Sequence, residues 1–301
     1  MSGAHDTSQA ESGGRHTKWI AIARKDFADA ARAKMLWALT ALLILLVAGV
    51  SAIPYLLHSD GPAPEFADAV SFLYSPIGTL VPIIGLIVGY QAIVKERESG
   101  SIRFLLGLPF TRLDVLLGKV AGRAGVVALP TVIGFLVGSV VIAALYDGFV
   151  IADYLGLLAF SLIMGLVYVA IAVGVSASVS SRAKAVAGVL GIYVVFDFLW
   201  SFVPVAIYWV FEREVPLFTG EPVPAWYLLV ERLSPGQALT VIAYDLIDFV
   251  GAEDVDLTTA GRIAGDIPFY LETWVAWVIV LAWIVVPLVI GYYRFERAII
   301  S

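Results

Sequence analysis

Six long runs of apolar residues, separated by charged stretches, set out the chain. Between charged residues they cover 35–59, 69–94, 124–146, 154–181, 185–211 and 273–293, and only Asp197 interrupts the fifth. Each holds at least the roughly 20 residues that a helix needs to cross about 30 Å of hydrocarbon. Lipid offers no partner for free backbone groups, so runs of this length must satisfy themselves as helices, and they are far longer than barrel strands. The pattern predicts six transmembrane helices at about 35–57, 74–94, 120–146, 154–179, 185–211 and 273–293. Ahead of them, Trp19, Ile22, Ala23, Phe27 and Ala30 share one helical face, while Lys25, Asp29 and Arg32 share another. An amphipathic helix of this kind, over 18–34, belongs in the headgroup region. Residues 1–17 carry no apolar periodicity and read as a disordered cytoplasmic tail ahead of one membrane domain, 18–301. A signal peptide is not expected, because the first apolar run starts late and is too long for an h-region.

Composition agrees with a membrane class. Of 301 residues 60% are hydrophobic and 15% charged, with mean hydropathy +0.91. A soluble chain of this length has nowhere to hide so much apolar surface. The net charge of −6 therefore describes the loops. There is no cysteine, so disulfides, thiolate zinc sites and cysteine nucleophiles are excluded.

Lysine and arginine set the orientation. Six lie in 1–34, six in 95–123, two in 182–184 and two in 294–297, all on one side of a six-span chain. The other three, Arg213, Arg232 and Arg262, fall in the long loop 212–272, which carries eleven acidic residues. The asymmetry predicts that both termini are cytoplasmic and that 212–272 faces out. In that loop Ala225–Leu233 and Gly236–Phe249 read as short helices, the second with Leu239, Ile242, Leu246 and Phe249 on one face. The acidic residues have no regular ligand spacing and suit a solvated outer surface. Gly85 with Gly89, and Gly134 with Gly138, are small-xxx-small pairs and read as helix packing sites.

Asp197 is the only charge inside a span. A carboxylate there costs a few kcal/mol to insert and should face the bundle or a partner. It reads either as a cation or proton site or a polar contact at the translocation path, or as a protonated carboxyl group hydrogen-bonded to Ser201, a tyrosine or a tryptophan.

The most informative polar stretch is Lys95–Lys119, KERESGSIRFLLGLPFTRLDVLLGK. Ser99 and Gly100 break the helix that arrives from the second span. Ile102, Leu105 and Leu106 then recur at helical spacing, and Pro109 ends that segment. Thr111 and Asp114 form a capping box that starts the next helix. The result is a short helix held crosswise, with an apolar face and a basic rim that includes Arg103 and Arg112. The order Glu96, Gly100, Ser101, Ile102, Leu105, Leu106, Pro109, Arg112, Gly118, Lys119 resembles the cytoplasmic signature of permease subunits in type-2 ABC exporters. The permeases of nitrous-oxide-reductase maturation and of sodium or antibiotic efflux are the nearest kinds. Leu-Ser-Pro-x-x-Ala at 233–238 is similar to an Asn-Pro-x-x-Ala element of the same family, with Ser234 in place of Asn.

The resemblance implies an all-α polytopic fold: an elbow helix at 18–34, six spans, a cytoplasmic coupling helix and short outer helices before the last span. It implies ATPase-coupling roles for Glu96, Glu98, Gly100, Ser101, Ile102, Arg103, Leu105, Leu106, Pro109, Arg112 and Lys119. The implied partners are a separate ABC ATPase, a second permease copy and the lipid bilayer of the plasma membrane, with no nucleic acid. No cofactor is expected in this chain, ATP and magnesium belonging to the ATPase. The chain has no phosphate loop, since Gly118-Lys119 is followed by Val120, and no protease or hydrolase motif. The expected function is half of an ATP-driven export pore. A secondary transporter or channel using Asp197 is the alternative, and a membrane anchor or assembly factor is a third.

Overall fold

The computed structural model describes residues 18–32, 34–59, 63–102, 110–215, 222–247, 259–263 and 266–297. Every regular element among the described residues is helical. In chain order these are α1 (Lys18–Ala31), α2 (Lys34–Ile44) with a π-helical turn at Leu45–Gly49, and α3 (Ile53–Leu57). Next come α4 (Phe66–Gly89), α5 (Val94–Glu98), α6 (Arg112–Leu145) and α7 (Ile151–Ser178). Then follow α8 (Arg182–Tyr193), a second π-helical turn (Val194–Leu199) and α9 (Phe202–Glu212). The chain closes with α10 (Ala225–Arg232), α11 (Pro235–Leu246), α12 (Thr259–Arg262), a 3-10 turn (Phe269–Leu271) and α13 (Thr273–Arg297).

Four helices are long and apolar enough to cross a bilayer: Phe66–Glu98, Arg112–Leu145, Ile151–Ser178 and Thr273–Arg297. Two bent pairs bring the number to as many as six, α1 with α2 at 76° and α8 with α9 at 47°. The fifth expected span falls in the second pair, and the first, 35–57, runs over α2, its π-helical turn and α3. The helices also reach beyond the uncharged runs, because charged and polar residues cap them. Glu65 and Asp68 close a capping box that starts α4 at Phe66, inside the stretch expected to be a loop. Thr111 and Asp114 start α6 in the same way, as their spacing predicts.

Packing centres on α7, which touches α4, α6, α11 and α13 along its length. Close approach depends on glycine. A Cβ on Gly89 would stand 2.6 Å from the Cβ of Ala172, and one on Gly118 would stand 2.6 Å from the Cβ of Ile22. Gly118, Gly122 and Gly125 together form a groove on α6 in which α1 lies, while Gly134 and Gly138 receive Leu43 and Val47 further along. The small-residue pairs of the sequence are thus helix contacts.

The two ends differ in charge. At the basic end α1, α5 and the start of α6 meet the end of α7, the start of α8 and the end of α13. At the acidic end α10, α12 and the 3-10 turn close over a second small core of Tyr227, Leu228, Ile263 and Leu271. Buried Arg232 ties it together by donating to the Leu271 carbonyl and the Thr259 hydroxyl, and Arg262 pairs with Glu231 at 2.8 Å. Burial beside Arg262 lowers the Arg232 pKa below its usual value. α11 leaves this assembly and packs against α7 and α13.

Candidate functional site

The basic end gathers most of the residues singled out by the sequence. Ser99 ends α5, and Gly100 takes φ +73°, a left-handed conformation that suits glycine. The Ser99 and Ser101 hydroxyls share a hydrogen bond at 2.9 Å, and both lie within reach of the Glu96 carbonyl, which one of them can use. Ile102 is 1% exposed and belongs to the chain's own core, so its side chain is committed inward. Arg103, Leu105, Leu106 and Pro109 lie outside the described residues.

The flanks of this segment are fixed to four other elements. Arg97 donates to the carbonyls of Val179 at 2.7 Å and Ala177 at 3.4 Å, which caps the end of α7. Ser176 on α7 accepts from the Ile93 and Val94 amides at 3.1 and 3.0 Å, which satisfies donors that the kink before α5 leaves open. Glu98 pairs with Arg182 at 2.8 Å and also accepts the Arg182 amide at 2.7 Å, at the start of α8. Arg112 donates to the carbonyls of Phe295 and, at 2.8 Å, Glu296, with its guanidinium 5.2 Å from the centre of the Phe295 ring. The last turn of α13 is thereby held.

The fourth attachment was not expected. Lys119, an anticipated coupling residue, points inward with its side chain 7% exposed. It pairs with Asp26 of α1 at 2.7 Å and with Glu96 at 2.5 Å. Arg123 reaches the other oxygen of Asp26 at 2.8 Å. Asp26 therefore sits between two cations, one helical turn apart on α6. Sequence reading missed it, although one signal existed. Asp26 stands four residues from both Ile22 and Ala30, so it lies on the apolar face of α1. An acid on that stripe needs a buried cation, and only the groove on α6 brings one to it.

Asp197 lies on the second π-helical turn. Its Oδ1 accepts from the Tyr168 hydroxyl of α7, so the partner is a tyrosine and not Ser201. The same oxygen would be 3.0 Å from a Cβ placed on Gly236, in the first turn of α11. Ser234 caps that helix by accepting from the Gln237 amide at 3.2 Å, the role usual for asparagine or serine at this position. Among the described residues no three His, Asp or Glu side chains converge as metal ligands.

The chain matches the ABC-2 family transporter model over residues 20–298. It is 31% identical over 285 residues to a protein of Stutzerimonas stutzeri named probable ABC transporter permease protein NosY, covering 92% of this chain and 97% of that one. The protein of the same name from Pseudomonas aeruginosa is 29% identical over 286 residues, with the same coverage. With a family match that spans nearly its full length, and with the apolar helices described above, the chain belongs to the ABC-2 transporter family as an integral membrane permease.

Proposed function

We propose that the chain forms one half of a dimeric, ATP-driven export pore and couples to a separate ATPase through Lys95–Lys119. One observation carries this reading: the flanks of the segment are bonded to α1, α7, α8 and α13 at once. A push on the segment is then delivered to several helices together, as alternating access requires. Gly100, Ser101 and Ile102 shape the segment, and Glu96, Glu98, Arg112 and Lys119 anchor it. Arg103, Leu105, Leu106 and Pro109 are proposed to meet the ATPase. ATP and magnesium act on that partner. The second permease is an identical copy or a paralogue.

In this reading α1 is the elbow helix, α2 to α3 supply the first of six spans and the bent pair α8–α9 the fifth, and both termini are cytoplasmic in the plasma membrane. The 16-to-3 division of basic residues supports that orientation. Cysteines at Ser180 and Glu214 should label from opposite faces with an impermeant maleimide.

The coupling test uses Leu105→Asp, expressed with the ATPase. A carboxylate in an apolar contact costs several kcal/mol, whereas membrane insertion is unaffected. Normal membrane levels with lost co-purification and lost transport-coupled ATP hydrolysis are expected. Retention of both would remove the basis for coupling at this segment.

A further inference from the structure

We propose that the cavity beside Asp197 binds a small organic ammonium ion, with the Asp197 carboxylate as its counter-charge. The cavity measures about 230 Å³ and lies between α4, α7, the second π-helical turn and the first turn of α11. A π-turn inside a span is uncommon and tends to mark a functional position. Here it places a carboxylate where a regular helix would place another side chain.

The first argument is charge. Oδ1 of Asp197 accepts from Tyr168 and rests against Gly236 at the N-terminal end of α11, a 12-residue helix. A hydroxyl donor and the N-terminal end of a helix thus both meet Oδ1. Oδ2 is buried and has no hydrogen-bond partner. No lysine, arginine or histidine lines the cavity. The site therefore offers one carboxyl group with an unused, buried acceptor and no cation of the chain's own to meet it, a place that a bound cation would fill.

The second argument is the kind of cation. A bare metal ion needs five or more oxygens to replace its water. Beyond Asp197 the lining offers the side-chain oxygens of Ser75 and Gln237, and the hydroxyls of Tyr74, Ser234 and Thr240, which are engaged, so too few remain for a metal ion. Ser234 caps α11, and Thr240 donates to the Gly236 carbonyl at 3.1 Å while accepting from Tyr74 at 3.0 Å. The rest of the lining includes the rings of Phe160 and Phe196 and the thioether of Met164. Aromatic faces and polarisable sulfur suit a carbon-clad ammonium group better than a hydrated ion. The volume also exceeds what a bare metal ion fills. This inference concerns binding alone and stands whether or not an ATPase docks at the basic end.

The test is equilibrium binding of labelled choline to the full chain in nanodiscs of phosphatidylglycerol. Saturable binding near one per chain is expected. Tetramethylammonium should displace the label. Sodium in large excess should not, and neither should 3,3-dimethylbutan-1-ol, the neutral isostere. Asp197→Asn should weaken binding by about tenfold or more, as loss of a partly desolvated ion pair implies. Gly236→Ala, which presses a methyl group on Oδ1, should weaken it as well. If phosphatidylcholine nanodiscs suppress the signal, the ammonium is a lipid headgroup; if they do not, it is a free solute. Either result keeps the site. Absence of saturable binding overturns the proposal. So does equal displacement by the alcohol, which would mean an apolar cavity only, or by sodium, which would mean a metal-ion site. Unchanged affinity in a folded Asp197→Asn variant also overturns it. Should that variant not fold, the wild-type competition series decides alone.

Discussion

Replacing Asp26 with alanine should release α1 from α6. Asp26 is 6% exposed and, among the described residues, is the acid that pairs with Arg123, while Lys119 keeps Glu96 as a second partner. Removing one member of a buried ion pair costs about 3–5 kcal/mol, because the charge left behind is desolvated. The lower end applies here. Arg123 is 19% exposed, so its guanidinium can swing towards water, and Lys119 is not orphaned. About 3 kcal/mol corresponds to roughly 150-fold in the docking equilibrium of α1. Lys119→Met should cost less, about 1–3 kcal/mol, since Asp26 keeps Arg123 and Glu96, 26% exposed, can turn towards water. Trypsin reads this equilibrium. Arg24 and Lys25 are exposed, but a protease must unwind the surrounding turns before it can cut. When opening is fast relative to cleavage, the rate follows the open population. In nanodiscs, Asp26→Ala should be cut at these sites about two orders of magnitude faster than wild type, and Lys119→Met by an intermediate factor. Cleavage of Asp26→Ala at the wild-type rate, or slower than Lys119→Met, would refute the account of Asp26 as the pin of α1.

Gly89→Ala places a methyl group 2.6 Å from the Ala172 Cβ and 3.1 Å from the Val169 carbonyl, so α4 and α7 must separate. The overpacking penalty of about 1–3 kcal/mol exceeds the roughly 1 kcal/mol of helix propensity gained, and the apparent melting temperature in detergent should fall. Arg112→Ala removes two carbonyl contacts and a ring contact at the end of α13; faster hydrogen exchange confined to the last turn of α13 is expected, with α4 unchanged. Burial and the neighbouring Glu231 raise the Tyr227 pKa, so the folded state holds that proton while the unfolded chain begins to lose it near pH 10. Stability should therefore fall as pH rises above about 10, and Tyr227→Phe should flatten that limb of a melting-temperature profile.

The apolar runs and the caps were legible because both are local. Charge-free length announces the helices, and Thr111 with Asp114 announces where one begins. The start of α4 was missed because its box uses Glu65 and Asp68, acids that look like loop residues beside a span. The π-turns left no trace, since an inserted residue changes no hydropathy. Ile102 was read as an interface residue from its spacing with Leu105 and Leu106, yet spacing cannot tell an outward face from one buried in the same chain. The pairing of Asp26 with Lys119 and Arg123 joins residues more than 90 positions apart. It becomes visible only when the glycine groove of α6 shows which helix lies in it.

The enclosure of α7 bears on how this chain can change over generations. A helix that faces lipid on one side tolerates almost any apolar residue there, because acyl chains adapt to shape. α7 is covered by α4, α6, α8, α11 and α13, and from Val167 to Val173 its side chains are fully buried, without a break. A substitution on one of its faces must be answered by a second one on the helix that face touches. Variation can accumulate freely on the outer face of α13, where large residues such as Trp274, Leu281 and Ile290 are exposed. On α7 it must arrive in matched pairs, so this helix should be the slowest-drifting part of the permease.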